Sequence, residues 1–373
     1  MHLLLTISQT TAITFPHVEY SGILPELLLI GGALLCMAIS SMVKDEKKTP
    51  VFTSIGITVA VIAGAWSYHL YRGVESHGAS TLVGGAMALD GFSTFLLVFI
   101  CIGLVLTLLL GEAFIYRVGA PGPDFVSLLM LSASGAMFMA SADDLIVLFL
   151  GLEILSISLY VLVAYTARRS ASREAAFKYF ILGGFSSAIF LYGIALTYGA
   201  TGSTNIGQIE LYLATNTITA NGVLLAGLVL LIVGLGFKIA AVPFQLWTPD
   251  VYQGAPTTVT GFMAAIAKAA GFAGLLRLLF VPFATLRSDW RPIILVLSLL
   301  SLFAGALLAL TQRDVKRMLA YSSINHAGFI LLGLYVGTQR SVSDSLYYLF
   351  AYGIMAVGAF GMVSIVGAIR ELP

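Results

Sequence analysis

The chain has 373 residues, of which 59% are hydrophobic and only 10% are charged, and its formal net charge is +1. Soluble domains carry about 25% charged residues and cannot hide this much apolar surface from water. The composition therefore excludes a soluble enzyme, and the small net charge gives no field for nucleic acid. It predicts a polytopic membrane protein whose surroundings are the lipid bilayer.

Eleven apolar stretches are each long enough for one membrane crossing, which takes about 20 residues. We therefore predict an all-α fold in which residues 1–373 form a single transmembrane domain. In chain order, helices 1 to 11 are expected near residues 23–42, 51–71, 91–116, 125–140, 144–166, 173–200, 222–241, 256–281, 292–311, 318–337 and 344–369.

Basic residues in the loops predict the orientation. Ten lie in loops after odd-numbered helices: Lys44, Lys47, Lys48, Arg117, Arg168, Arg169, Arg173, Arg313, Lys316 and Arg317. Four lie after even-numbered helices: Arg72, Arg287, Arg291 and Arg340. Because Lys and Arg are retained on the cytoplasmic side, the N-terminus is expected outside. No Lys or Arg precedes Lys44, so no secretory signal peptide is predicted.

Cofactor signals are few in this sequence. The two cysteines, Cys36 and Cys101, lie in separate apolar runs, which argues against a disulfide or a metal cluster. No GxGxxG follows a strand and no phosphate-binding loop is found. We therefore expect no nucleotide, metal or other cofactor to be bound by this chain.

Four ionisable residues interrupt the apolar helices, namely Glu153, Lys178, Lys238 and Lys268. A charge at the centre of a membrane helix costs roughly 2.5–3.5 kcal/mol on insertion scales. Glu153 and Lys268 should lie ~14 Å and ~18 Å into their helices, too deep for easy contact with water. Lys238 could instead extend to the membrane surface. Lys178 could do the same, or pair with Glu174 four residues earlier.

Together these residues suggest a polar line through a helical bundle. A buried lysine beside a carboxylate can change between charged and neutral states, and such a pair titrates as one unit. The pattern therefore predicts proton transfer along Glu153, Lys178, Lys238 and Lys268. His326 lies eight residues into helix 10 and is either hydrogen-bonded packing or a further relay position.

Pro243 follows Lys238 by five residues and should break helix 7, because proline lacks an N–H and clashes with the preceding turn. An ordinary helix end is one interpretation. The nearby Lys238, Pro249 and Pro256 favour a functional discontinuity, as found beside the ion sites of transporters.

Long segments of the sequence resemble the proton-pumping, antiporter-like subunits of respiratory complex I. They include GLGFKIAAVPFQLWTPDVYQGAPT, LFLGLEILSISLYVLVAY and RDVKRMLAYSSINHAGFILLGL. Nearly the whole chain is covered, and the resemblance is strongest to the subunit N type of bacterial NADH:quinone oxidoreductase. It implies inverted five-helix repeats with a broken helix 7. Residues 1–120 would then hold helices 1–3, residues 121–285 the first repeat, and residues 286–373 the incomplete start of the second.

The resemblance also implies roles and partners. Glu153, Lys178, Lys238 and Lys268 match family residues that lie on a charged axis across the membrane arm. NADH, FMN, iron–sulfur clusters and quinone would be bound by other subunits of the complex. The partners would be other membrane-arm subunits, in a bacterial inner membrane.

Two positions depart from the family pattern. Gln245 stands where the family often has a histidine, so proton transfer there would need water. The chain stops at Pro373, before the second broken helix that the resemblance implies, so a truncated or separately encoded remainder is expected. A multisubunit cation/proton antiporter and an inert truncated scaffold remain alternative functions.

Overall fold

The computed structural model describes residues 18–118, 122–166, 169–216 and 221–370. The N-terminal stretch before Lys44 is therefore described only in part, and Arg168 and Pro373 lie outside the described residues. Within those ranges nine helices are long and apolar enough to cross a membrane, and two shorter apolar helices are Leu24–Ile39 and Gly222–Lys238. The predicted all-α membrane fold is confirmed, and these helices account for the eleven predicted ones.

The helices run in chain order as follows: α1 Leu24–Ile39, α2 Asp45–His77, α3 Gly91–Val118, α4 Pro123–Ser141, α5 Leu145–Val163, α6 Ser170–Thr201, α7 Ile206–Thr215, α8 Gly222–Lys238, α9 Thr248–Gly254, α10 Thr257–Phe262, α11 Lys268–Phe280, α12 Arg287–Leu310, α13 Val315–Val336 and α14 Gln339–Arg370. Strands β1 Ser80–Leu82 and β2 Met87–Leu89 form an antiparallel hairpin. The hairpin, α7 and α9 are additions to the prediction, because each is too short to show a spanning stretch of apolar residues.

The helix pair α10–α11 occupies the centre of the bundle. A π-helical turn, Met263–Ala267, joins the two into one continuous helix, Thr257–Phe280. The most apolar stretch of this helix, 18 residues long, is entirely buried inside the protein. A lysine on it, such as Lys268, therefore has no face directed at lipid.

Glycines let the helices around this centre approach at backbone distance. A Cβ on Gly151 of α5 would lie 2.8 Å from the backbone nitrogen of Met139 in α4. A Cβ on Gly193 of α6 would lie 2.9 Å from the backbone nitrogen of Leu231 in α8. These close contacts hold α5, which carries Glu153, against α4, and α6, which carries Lys178, against α8, which carries Lys238.

Contacts between loops divide the molecule into two sides. On one side Asn205, after α6, donates from Nδ2 to the carbonyl of Gly85 at 2.7 Å and to that of Asp143 at 3.1 Å. On the opposite side Asp250 of α9 accepts from Lys178 and Arg317, near the starts of α6 and α13. The loops after predicted helices 2, 4 and 6 thus lie together, as alternating membrane crossings require.

Helix α8 ends at Lys238, five residues before Pro243. The backbone N–H of Ala241 donates to Gly236 at 2.9 Å and that of Ala240 donates to Phe237 at 3.1 Å. This pair of bonds is a Schellman motif, which places its C′ residue in the left-handed region. Ala240 has φ of 60° there, where glycine is the usual residue.

We expect Ala240→Val to destabilise the protein by about 1–2 kcal/mol, because a β-branched side chain is strained at positive φ. Ala240→Gly should change the free energy of unfolding by less than about 1 kcal/mol, since relief of strain offsets the entropy gained by the unfolded chain. Thermal unfolding of the purified variants checks both values. Ala226→Val, on the exposed face of the same helix, is the control. Equal effects of valine at both positions would contradict the account.

Candidate functional site

Lys238 is the last residue of α8, and it is only 6% exposed. Its Nζ donates to Ser156 Oγ of α5 at 2.8 Å and to the Tyr179 hydroxyl of α6 at 3.3 Å. Both partners are themselves buried. The ammonium group therefore points into the bundle, and the alternative in which it extends to the membrane surface is wrong.

Glu153 lies on α5, three residues before Ser156, and it is half-buried. Its Oε1 atom is buried and has no hydrogen-bond partner. In the described part of the chain no ion pair joins Glu153 to Lys238. The carboxylate is nevertheless close enough to act electrostatically on the lysine. A buried, unsatisfied oxygen beside a lysine is a place where a water molecule can bind.

A small cavity adjoins Lys238. Its volume is about 10 Å³, close to the minimum for one water molecule. Lys238, Ser156, Ser186, Ser187 and Tyr179 contribute the polar groups around it. The cavity therefore has room for about one water molecule beside the lysine.

Lys268 is 2% exposed and begins α11, directly after the π-helical turn. Its Nζ donates to the backbone carbonyl and to the Oγ of Ser323, both at 2.6 Å. The ring of Tyr352 lies 5.8 Å from Nζ. Within the described residues no ion pair reaches this amine, so neutral groups solvate it.

The two buried lysines lie on facing helices. Gly271, one turn beyond Lys268, packs on the stem of Lys238, since a Cβ added there would lie 3.3 Å from Lys238 Cγ. Lys238 and Lys268 are therefore carried by helices that are in direct contact, and Lys268 lies one turn from that contact.

His326 lies three residues after Ser323 on α13. Its Nδ1 is hydrogen-bonded to the Tyr348 hydroxyl at 2.7 Å. Its ring centroid is 4.7 Å from that of Tyr352, the aromatic neighbour of Lys268. His326 is hydrogen-bonded, as the packing interpretation requires. It also lies beside the aromatic neighbour of Lys268, as the relay interpretation requires.

Lys178 lies in a different environment from the other three charges. Its side chain is 39% exposed, and Nζ contacts Glu174 Oε1 and Asp250 Oδ2, each at 2.7 Å. The predicted helical ion pair with Glu174 is thus confirmed. Arg317 binds the other oxygen of Asp250 at 2.6 Å. The geometry brings Lys178 into this surface cluster and not to the buried lysines, although its neighbour Tyr179 binds Lys238.

Asp250 holds the surface cluster together and lies in α9, outside the membrane-spanning helices. Burial raises the pKa of Asp250, but the hydrogen bonds and charges of Lys178 and Arg317 outweigh it and lower the pKa. An aspartate with a depressed folded pKa stabilises the fold above its unfolded pKa, and the stabilisation is lost as pH falls through the folded value.

We therefore expect Asp250→Asn to reduce thermal stability at neutral pH by about 1 kcal/mol and to weaken the acid-induced loss of stability below pH about 4. Unfolding midpoints of both proteins across the acid range measure the effect. Asp289→Asn, at an exposed carboxylate of α12 outside the cluster, is the control. Identical pH profiles for wild type and Asp250→Asn would disprove this assignment.

The segment between α8 and α9 is the predicted helix break. The Val242 N–H donates to Ser301 Oγ at 2.9 Å, so a backbone group freed by the break is satisfied inside the protein. Pro243 itself is exposed. Gln245 Oε1 is buried with no hydrogen-bond partner. An acceptor without a donor at this point fits the expectation that water would serve the position.

Trp247 contacts both the helix break and the residues around Lys238. Its Nε1 donates to the carbonyl of Phe237 at 3.1 Å, beside Lys238. Its ring stacks on Tyr179 with centroids 4.8 Å apart and an interplanar angle of 20°. If the helix break moved, Trp247 would therefore displace Tyr179, whose hydroxyl binds Lys238.

Sequence reasoning missed several partners in this site. They are Ser156, Tyr179, Trp247, Asp250, Ser323 and Tyr352. Ser156 and Ser323 carried a usable signal, because each lies three residues from a charged or titratable residue on the same helix. Tyr179, Trp247 and Tyr352 carried none, since an aromatic residue in an apolar helix is ordinarily packing.

A second buried polar cluster lies on the side of the molecule opposite Asp250. Arg277 of α11, 7% exposed, contacts Asp90 Oδ2 at 2.5 Å and donates to the carbonyl of Ala140 at 3.1 Å. Burial raises the pKa of Asp90, but Arg277 and Ser93 outweigh it and lower the pKa. Near it Glu26, 1% exposed, accepts from Ser141 Oγ at 3.4 Å. Sequence analysis singled out none of these residues.

No group of three or more His, Cys, Asp or Glu side chains that could hold a metal ion occurs among the described residues. What the site offers is hydrogen-bonded amines, a carboxylate and hydroxyls, all in or beside an interrupted helix. A multi-pass helical protein with ionisable groups at a helix break has the construction of an ion-translocating membrane protein.

The chain belongs to the family described as NADH:quinone oxidoreductase/Mrp antiporter, TM, whose model matches residues 142–371. The NADH-quinone oxidoreductase subunit N of Parafrankia sp. is 40% identical over 95% of this chain and 71% of its own length. A chain in the structure of respiratory complex I from Thermus thermophilus with bound aureothin is 34% identical, with a TM-score of 0.75 over 91% of this chain and 70% of that one. The resemblance indicated by the sequence motifs is thereby confirmed.

A third similarity is to the membrane-bound sulfane sulfur reductase, an archaeal respiratory membrane complex. A chain of that complex is 28% identical with a TM-score of 0.80, covering 93% of this chain and 71% of that one. Chains of these two respiratory complexes are therefore both similar in fold to this chain.

Proposed function

We propose that this chain is a proton-translocating membrane-arm subunit of an NADH:quinone oxidoreductase, of the subunit N type. The observation that carries the proposal is Lys238, buried at the end of an interrupted helix, bound by two neutral hydroxyls and within electrostatic reach of Glu153. The subunit N relatives support it, since two of them are 40% and 39% identical to this chain along 95% of its length.

In this proposal the Glu153–Lys238 pair gains one proton and then loses it during each cycle. When Lys238 is charged, Ser156 and Tyr179 accept its hydrogen bonds and Glu153 balances its charge. When the proton leaves, the same hydroxyls can donate to the neutral amine. The lysine therefore keeps partners in both states, which lowers the energetic difference between them.

Lys268 is the proposed next station. Its amine has no balancing carboxylate among the described residues, so its charge is stabilised by Ser323 and by the ring of Tyr352. A proton arriving from Lys238 would be favoured only while Glu153 and Lys238 are jointly neutral or negative. His326, beside Tyr352, would accept the proton beyond Lys268.

Lys178 is proposed as an accessory group and not as a station of the buried line. It is bound by Glu174 and Asp250, and that cluster connects α6, α9 and α13. Movement of the helix break would change these ion pairs. Proton uptake at the surface cluster is the other role consistent with its exposure.

The orientation and surroundings are part of the same proposal. The excess of loop Lys and Arg supports an orientation with the Asp250 side in the cytoplasm and the N-terminus outside. The membrane in this proposal is a bacterial inner membrane. Other membrane-arm subunits would be the partners. NADH, FMN, iron–sulfur clusters and quinone would be bound elsewhere in the complex, and redox energy would reach this chain through its neighbours.

A multisubunit cation/proton antiporter is the second candidate, because the matching family model spans both kinds of protein. Affinity purification of the chain from its native membrane separates the two. Recovery with flavin, iron–sulfur and NADH oxidation activity supports the proposal. Recovery of a complex without redox centres that exchanges sodium for protons would overturn it.

A further inference from the structure

A polar cavity opens where α3 and α14 end, on the Asp250 side of the molecule. Its volume is about 370 Å³. Arg117, Arg169, Thr257 and Ser364 contribute its polar lining together with Thr166. None of these residues takes part in the buried lysine site.

The charge around this cavity is positive. Arg117 donates from Nη2 to Ser364 Oγ at 3.2 Å, and the Arg169 side chain is exposed. In the described part of the chain neither arginine forms an ion pair. Lys316 is within electrostatic range of Arg169 and donates to the carbonyl of Ala255, another lining residue.

The Asp314 carboxylate, which acts on Lys316, is already engaged. Asp314 caps α13 by accepting from the Arg317 N–H at 2.9 Å, and it does not line the cavity. Two guanidinium groups and three hydroxyls that face one space are the groups that bind phosphate oxygens. The chemistry of the cavity therefore calls for a phosphate-bearing anion.

The position of the cavity selects among such anions. Arg117 ends the membrane span Gly91–Arg117, and Gly367 ends the span Gln339–Gly367. Phe114 and Val363, one turn deeper, add apolar lining. Deeper in the membrane α14 presents further exposed apolar side chains, including Met355 at 51%. A ligand with a phosphate at the surface and hydrocarbon beneath matches this gradient.

We propose that this cavity binds the phosphodiester headgroup of an anionic phospholipid through Arg117 and Arg169, with the acyl chains lying along α14. Basic pockets between membrane helices on the cytoplasmic side bind lipid headgroups in this manner. Such a site would hold the ends of α3 and α14 against the start of α10, the helix that leads to Lys268.

The test is native mass spectrometry of the full-length chain, released from vesicles of phosphatidylcholine with a minor fraction of phosphatidylglycerol. We expect retained phosphatidylglycerol on the wild type. Arg117→Gln and Arg169→Gln should each weaken retention about fivefold, and the double variant roughly 25-fold. Arg72→Gln, at an exposed ion pair at the far end of α2, should leave retention unchanged.

Arg169→Gln protects the test against misfolding, because among the described residues the Arg169 side chain has no hydrogen bond or ion pair to lose. Equal retention of phosphatidylcholine and phosphatidylglycerol would overturn the proposal, as would equal retention by all variants. Displacement of the lipid by millimolar inorganic phosphate would also overturn it, since the site would then be one for a free anion.

Discussion

Replacement of Lys238 by methionine should reduce redox-driven proton translocation through this chain by about 10²-fold, the lower end of what a positioned proton-transfer group contributes. Methionine keeps an unbranched apolar stem against Gly271, but it cannot bind a proton. Ser156 and Tyr179 lose their charged partner while the helices stay packed. The measurement is proton uptake or release by the assembled complex in vesicles, at a fixed rate of NADH oxidation.

Lys178→Met is the matched control for this experiment. The same side chain is removed one helix away, at a position that is 39% exposed and bound to two carboxylates. We expect a less than about threefold effect there, because exposed ion pairs contribute 0–1 kcal/mol. Equal losses in both variants would show that burial beside the helix break does not distinguish Lys238. Loss of the complex instead of its pumping would favour the inert scaffold.

The largest loss of stability is expected from Asp90→Asn. Arg277 would then keep a buried charge without its carboxylate, and breaking a buried pair costs about 3–5 kcal/mol. We expect about 3 kcal/mol, because the Asp90 side chain is 25% exposed and water can partly replace it. Unfolding of the purified chain in mixed micelles by a denaturing detergent measures the difference.

Removing both charges tests the cause of that loss. Asp90→Leu combined with Arg277→Met should be more stable than Asp90→Asn, because apolar groups of similar volume replace a buried pair at little cost. Arg72→Gln, which breaks an exposed pair with Glu75, should change stability by less than about 1 kcal/mol. A double variant that is less stable than Asp90→Asn would show that Arg277 acts through its other contacts, to Ala140 and to the ring of Phe92.

The helices of this protein could be predicted from its sequence because membrane crossing imposes a length and an apolar composition on each. The end of α8 could be predicted only approximately. Pro243 signals a break, but the helix stops at Lys238, where Ala240 adopts a left-handed conformation that no sequence rule assigns to alanine. The hairpin β1–β2 and the helices α7 and α9 are too short to show a spanning stretch of apolar residues, so the sequence pattern does not predict them.

The site shows the same division. Glu153, Lys238 and Lys268 could be selected because a charge in an apolar helix is costly and therefore conspicuous. Their tyrosine partners could not, because an aromatic residue in an apolar helix is ordinarily packing. The spacing of Ser156 from Glu153 and of Ser323 from His326 indicates a shared helix face, but only the packing shows which amine each serine binds. Lys178 looked like the others in sequence, and the difference lies in Asp250, 72 residues away.

Burial alone also fails to identify stations of a proton route. Arg277 and Glu26 are as buried as the lysines, yet they lie on the opposite side of the molecule from Asp250 and outside the contacts of Lys238 and Lys268. What distinguishes the lysine site is the combination of neutral hydroxyl partners, an unsatisfied carboxylate oxygen, a cavity for about one water and an interrupted helix.

The most direct test of proton transfer through this chain is the proton-to-electron ratio of the assembled complex carrying Glu153→Gln. Glutamine has the shape of glutamate and leaves the helix packing intact, but it cannot exchange a proton. The exposed Glu174→Gln variant is measured beside it. The proposal predicts a lower ratio for Glu153→Gln and the wild-type ratio for Glu174→Gln. A wild-type ratio in Glu153→Gln, in a fully assembled and electron-transferring complex, would contradict it.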